Sequence, residues 1–197
     1  MAKQMGAWSC CLAVAVTVGL IALVVFTAIS KRPTYSVAIT GVAGLDPAAD
    51  LLSASRPTLS PVFNLTVRID NAHWWLSTAC VDGSLATAAV TYRDAFLGNS
   101  SIPEFCAGKG KVRERGARAW SHGVDLPRLL RDQLAGELAA GEAAVDVEVM
   151  APDQECNDYH CVDMVLTCSQ AKIGGGPAPC KMMYENVHHP HQEGSTD

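Results

Sequence analysis

Phe63-Asn64-Leu65-Thr66-Val67-Arg68-Ile69-Asp70 is the stretch that decides the fold. Phe63, Leu65, Val67 and Ile69 alternate with Asn64, Thr66, Arg68 and Asp70. Successive side chains of a strand point to opposite faces, so this spacing sends one face into a core and the other into water. The same period of two appears upstream, where Tyr35, Val37 and Ile39 alternate with Ser36, Ala38 and Thr40. It appears again downstream, in Val145, Val147 and Val149 against Asp146 and Glu148. Leu85 to Tyr92 and Val162 to Thr167 read as further strands. One helix is expected, with Asp125 as N-cap, Pro127 in the first turn, Gly141 at the end, and Leu126, Leu129, Leu130, Leu134 and Leu138 along one stripe. Strand runs separated by turn signals, with no regular exchange of strand and helix, predict a mainly β fold: an antiparallel β-sandwich with one amphipathic helix.

The rest of the chain sets where that domain sits. Charged residues make up 18% of the 197, less than the roughly 25% usual for soluble domains, so apolar residues must be concentrated somewhere. They are concentrated at the N-terminus, where no residue from Gln4 to Ser30 is charged. Within it Ala7 to Ile29 is almost entirely apolar or small, and as a helix that stretch reaches about 35 Å, enough for a bilayer core of about 30 Å. The expected organisation is a cytosolic stub over residues 1–6, a single transmembrane helix over 7–30, the β-sandwich over 31–172 and a flexible tail over 173–197, where Gly174 to Pro179 and the histidines near the end carry no periodicity. A cleaved signal peptide is the rival reading of the apolar run, since Ala28 and Ser30 are small residues at the spacing a signal peptidase reads.

Orientation follows from the exterior residues rather than from flanking charge, which is nearly balanced between Lys3 on one side and Lys31 with Arg32 on the other. Cys80, Cys106, Cys156, Cys161, Cys168 and Cys180 follow the apolar run, as do the sequons Asn64-Leu65-Thr66 and Asn99-Ser100-Ser101. An even number of cysteines together with sequons suits an oxidising lumen, which predicts disulfide bonds, a glycoprotein modified at Asn64 and Asn99, and a C-terminal domain outside the cytosol. Plasma membrane is the expected location, with endoplasmic reticulum the alternative. Cys80 is expected to join Cys106, and the other four to pair among themselves.

These residues resemble a family. Pro61 to Asn71, then Val90-Thr91-Tyr92-Arg93-Asp94, Ile102-Pro103-Glu104-Phe105, and the hydrophobic strand from Val162 ending in Cys168 are similar to the plant late embryogenesis abundant group 2 domain, whose anchored members are the harpin-induced-like proteins. The resemblance covers about Tyr35 to Cys168 plus the anchor. It implies a fibronectin-like or immunoglobulin-like sandwich, a stress or defence role at a membrane, and no catalytic residue set.

Several clusters invite a functional reading. Lys109, Lys111, Arg113 and Arg115 occupy every second position, so on an extended segment all four point one way, with Arg118 nearby. Such a stripe suits an anionic lipid headgroup or an acidic cell-wall polysaccharide; the plainer reading is an edge strand whose like charges discourage pairing. Trp74 and Trp75 follow His73, and one indole is a candidate contact for another membrane protein. Cys156, His160, Cys161, Cys168 and Cys180 carry ligand chemistry, but their spacing matches no paired zinc knuckle, so no metal or other cofactor is expected. Ser121, His122 and Asp125 lie close in sequence without an oxyanion-hole motif, and no nucleophile elbow, phosphate loop or zinc-protease signature is present. No catalytic residue is expected. A net charge of -5 and the absence of basic stretches interleaved with aromatics exclude a strongly basic nucleic-acid binder. The expectation is a non-enzymatic, membrane-anchored binding or tethering module for stress or defence, the alternative a lipid-binding or membrane-protective module, with a metal or redox protein third.

Overall fold

A computed structural model describes residues 14–25, 32–53, 58–73, 77–81, 86–152 and 161–187. Residues 14–25 form a helix, α1, whose side chains are all exposed. At 1.5 Å per residue it is about 18 Å long, against about 30 Å of hydrocarbon. Among the described residues no helix is long and apolar enough to cross a membrane. The remainder of the expected span over 7–30 lies outside them.

The rest is mainly β. The strands are β1 (Thr34–Ala43), β2 (Val62–Asp70), β3 (Ala79–Val81), β4 (Thr87–Tyr92), β5 (Ala95–Ser101), β6 (Phe105–Ala107), β7 (Val112–Trp120), β8 (Ala144–Ala151), β9 (Cys161–Lys172), β10 (Ala178–Pro179) and β11 (Lys181–Val187). Nine of them make one antiparallel sheet in the order β10-β1-β2-β7-β5-β4-β8-β9-β11, while β3 and β6 pair separately. The stretch that decides the fold behaves as its period demands: Phe63, Val67 and Ile69 are fully buried and Leu65 is nearly so, and each apolar side chain taken out of water is worth about 1.5–3 kcal/mol. Val145, Val147 and Val149 on β8 are equally buried, and both sets belong to one continuous core with Val37, Ile39, Val90, Leu97 and Leu166.

The sheet curls until its two ends meet. β10 lies beside β1 and β11 beside β9, yet only Cys180 separates β10 from β11 in the chain. Ile39 of β1 bridges Ile173, the Gly174 N–H donates to the Ile39 carbonyl at 2.8 Å, and the Cys180 N–H donates to the Tyr35 carbonyl at 2.8 Å. A disulfide from Cys168 on β9 to Cys180 closes this seam covalently. The flexible tail expected over 173–197 is thereby corrected as far as residue 187. Ala178 is buried and Ile173, Cys180 and Met182 pack against the core, so the segment is ordered by pairing with strands far away in sequence and not by any period of its own. Residues 188–197 lie outside the described ones.

The helix also differs from its expected form. It runs Arg128–Ala140 (α2), and Pro127, not Asp125, sits at the N-cap without a side-chain cap bond. Gly141 takes a left-handed φ of 67° and its N–H reaches back to the carbonyls of Glu137 and Leu138, the ending expected of glycine there. Leu126 and Leu134 are buried and Leu130 and Leu138 pack against the core, but Leu129 is 69% exposed and leaves the stripe. Buried Arg131 folds back to donate from Nε to the Leu126 carbonyl at 3.1 Å, which ties the helix to its own entry.

Candidate functional site

β7 places the candidate residues. It pairs with β2 along its whole length, Val62 opposite Trp120 through to Asp70 opposite Val112, and with β5 only at Asn99 opposite Trp120. Among the described residues no strand pairs with Val112–Ala119 on the side away from β2. β7 is therefore an edge over most of its length, although it stands in the middle of the strand order. Its charged residues suit that place, because exposed cations and Glu114 discourage a second chain from adding there.

Of the basic stripe, Arg113 and Arg115 sit on β7 opposite Ile69 and Val67, sharing a face with these core residues but projecting beyond the covered region into solvent. Lys109 does not continue their alternation. It lies in a turn with Gly110, which takes a φ of 67° that an L side chain adopts only with strain, and the Lys111 N–H closes that turn on the Gly108 carbonyl at 3.1 Å. Four cations on one strand face are thus corrected to two on the strand and two on the turn that feeds it. All four are exposed, and among the described residues no carboxylate pairs with them. The carboxylates nearest along the strand are engaged elsewhere: Glu114 and Asp70 both hold Arg68, at 3.1 and 3.5 Å.

The turn is anchored by a buried amide. Asn71 is completely buried, and its Nδ2 donates towards the carbonyls of Ser77, Ala107 and Gly108 at 3.1, 3.0 and 3.2 Å, while its backbone N–H donates to the Lys111 carbonyl at 3.0 Å. One side chain thus ties the ends of β2, β3 and β6 to the turn that carries the lysines. Cys80 and Cys106, directly opposite each other on β3 and β6, form the expected disulfide. Tyr35 completes this end, donating from its hydroxyl to the Cys80 carbonyl at 3.3 Å; burial, and after it nearby Tyr184, pushes that hydroxyl up to about 12.

The other face of β7 carries a feature the sequence reading passed over. Arg118, Trp120, Ser121 and His122 line an open cleft of about 300 Å³ with Ser60 and Val62. Trp120 is 50% exposed, and its indole lies 4.9 Å from the His122 ring at 59°. The signal was available in the alternation: Ala117 and Ala119 take the inner phase of the strand, which leaves Arg118 and Trp120 in the outer one. Both sequon asparagines border the same face, Asn64 opposite Arg118 and Asn99 opposite Trp120, and both are exposed. His122 is thus a wall of this cleft, beside an indole.

Trp74, Trp75 and Cys156 lie outside the described residues, as does the side chain of Cys161. Cys168, bonded to Cys180, has no thiolate to give a metal. Compared with protein-family models, with curated proteins and with solved structures, the chain matches none of them.

Proposed function

We propose that the chain is a non-enzymatic binding module of plant stress or defence responses, held at a membrane by residues 7–30. Its partner is an acidic cell-wall polysaccharide, taken along Lys109, Lys111, Arg113 and Arg115. The observation that carries this reading is the exposure of all four cations along one unpaired rim, with no carboxylate among the described residues to neutralise them, in a chain whose net charge is -5. A basic strip on an otherwise acidic molecule is attractive to polyanions locally while the whole resists indiscriminate association. Each exposed ion pair contributes at most about 1 kcal/mol, so selectivity for a chain of regularly spaced carboxylates comes from engaging several at once.

The curled sheet is read as the two-layered fibronectin- or immunoglobulin-like sandwich that the resemblance to the late embryogenesis abundant group 2 domain implies. Supporting this is the single pairing between β7 and β5, which divides the strand order into a group containing β1, β2 and β7 and a group containing β5, β4, β8 and β9. The two disulfides among the described residues support placement of the domain outside the cytosol, where thiols oxidise.

The test is retention of the full chain, in neutral micelles, on immobilised polygalacturonate. We expect salt-sensitive binding that weakens at least about tenfold in a Lys109→Glu, Arg113→Glu double variant, since each reversal removes an attraction and adds a repulsion. Equal retention of the two proteins would discard the strip. Binding to vesicles containing phosphatidylserine but not to polygalacturonate would instead establish the lipid-binding alternative.

A further inference from the structure

We propose that Asn99 carries an N-linked glycan whose first N-acetylglucosamine lies on the exposed indole of Trp120. The inference rests on the lumen-facing orientation of the domain, and it concerns the face of β7 opposite Arg113 and Arg115.

Directly opposed residues of antiparallel strands place their side chains on one face, with Cβ atoms about 5 Å apart. Asn99 and Trp120 are such a pair, and they are the sole pairing between β5 and β7. Trp120 is half exposed on a face away from the core, with the His122 ring on one flank and an open cleft around it. An indole left in water forfeits the burial that ordinarily holds a tryptophan in place. A pyranose ring covers that deficit, because the C–H groups of its apolar face bear partial positive charge and meet the negative face of the indole. The cleft's polar rim of Ser60, Ser121 and the Arg118 guanidinium supplies hydrogen-bonding groups for the sugar hydroxyls and acetamido oxygen.

The second sequon is placed differently. Asn64 lies opposite Arg118 on one side and Gly41 on the other, and its Nδ2 is 3.5 Å from where a Cβ on Gly41 would stand. A sugar on Asn64 therefore finds a neighbour without a side chain, and no aromatic at its register position. The structure thus distinguishes two acceptor sites of one sequence type: Asn99 with an indole as platform, Asn64 without.

The chemistry is glycosyl transfer from a lipid-linked oligosaccharide diphosphate. The bond from sugar C1 to the diphosphate oxygen breaks, C1 bonds to Asn99 Nδ2, the amide nitrogen loses one proton and the lipid diphosphate leaves with the bonding pair.

The experiment uses the full chain made in plant cells and held in neutral detergent, with occupancy at each asparagine read by peptide mass. Thermal unfolding is compared for wild type, Asn99→Gln, Trp120→Ala and the double variant. Asn99 is expected to be occupied, and Asn99→Gln to lower Tm by about 2–4 °C in wild type but by under about 1 °C in the Trp120→Ala background. Trimming the glycan enzymatically to its first sugar is expected to keep the wild-type Tm. Trp120→Thr, which keeps strand propensity, stands in if Trp120→Ala does not fold. An Asn99 found bare while Asn64 is occupied overturns the proposal and leaves the lumenal orientation standing; both asparagines bare overturns both. Equal Tm shifts in the two backgrounds overturn the stacking itself.

Discussion

The sheet is held differently at the place where its ends meet and at the place where β5 meets β7. At the seam between β1 and β9, contact is many-fold: the Cys168–Cys180 disulfide, the Ile39–Ile173 bridge, and the backbone bonds from Gly174 and Cys180 to β1. At the junction of β5 with β7 there is one bridged pair, Asn99 with Trp120. Residues distant in the strand order are thus stapled, while β5 and β7, neighbours in it, share a single backbone bridge and meet by close packing. The lesson is that strand order alone does not locate strength in a curled sheet. The junction is narrow because β5 must cross close over β7, and Gly98 permits the crossing: a Cβ there would stand 3.0 Å from the Trp120 carbonyl carbon and 3.2 Å from its Cα and nitrogen.

Breaking the seam should have the largest effect. Cys168→Ala with Cys180→Ala removes a crosslink spanning 12 residues, which the chain-entropy relation values at about 3 kcal/mol. The expected result in urea unfolding is a lower midpoint, with faster hydrogen exchange at Ile173 to Val187 and at Tyr35 to Ile39 together. Exchange that rises only in the C-terminal segment would show that β1 does not depend on the seam. Narrow as it is, the junction is more sensitive to shape than to bonds. Gly98→Ala forces backbone against backbone, where no flexible side chain can yield, and is expected to cost about 1–3 kcal/mol. A variant as stable as wild type would mean that β5 shifts freely over β7.

How far the sequence carried this architecture varies with where each strand draws its stability. β2 and β8 were legible because both phases of their alternation are written in their own residues, Phe63 to Asp70 and Val145 to Val149. β7 was not. In Val112-Arg113-Glu114-Arg115-Gly116 the one large apolar residue, Val112, stands in the outer, exposed phase and the inner phase is Arg113 and Arg115, because an edge strand with one covered end needs inward apolar residues only at Ala117 and Ala119. β10 and β11 read as tail in the sequence because their pattern is weak and Gly174-Gly175-Gly176-Pro177 precedes them; a disulfide and distant partners order them instead. For the site, the cations were identified by spacing, but the left-handed Gly110 that turns Lys109 off the strand has no local signature beyond the glycine itself. Trp120 was hidden because its exposure depends on which phase of β7 meets the core.

The smallest predicted effect sharpens the comparison by titrating the seam from within. Tyr35 stands where β1 meets the chain at Cys180, its backbone carbonyl accepting from the Cys180 N–H and its hydroxyl donating to the Cys80 carbonyl, so one residue links the seam to the disulfide-bonded pair β3 and β6. Its folded-state pKa is raised from 10.0 to about 12, by burial first and by Tyr184 second. A raised pKa means the folded protein holds this proton more tightly than the unfolded chain does. The stabilisation is therefore fully present below pH 10 and is lost as pH rises from about 10 through about 12. Tyr35→Phe removes a hydrogen bond worth about 0.5–1.5 kcal/mol, so the variant is expected to be slightly less stable at neutral pH. It cannot ionise at that position, so the gap to wild type should close on going from pH 10 to 12. Tyr92, which burial and the Glu137 carboxylate also push up, supplies alkaline sensitivity common to both proteins. Urea midpoints measured at pH 7, 10 and 11.5 decide the matter: a constant gap would mean that Tyr35 ionises in the folded protein as readily as in the unfolded chain, and that the seam is open to water at its first strand.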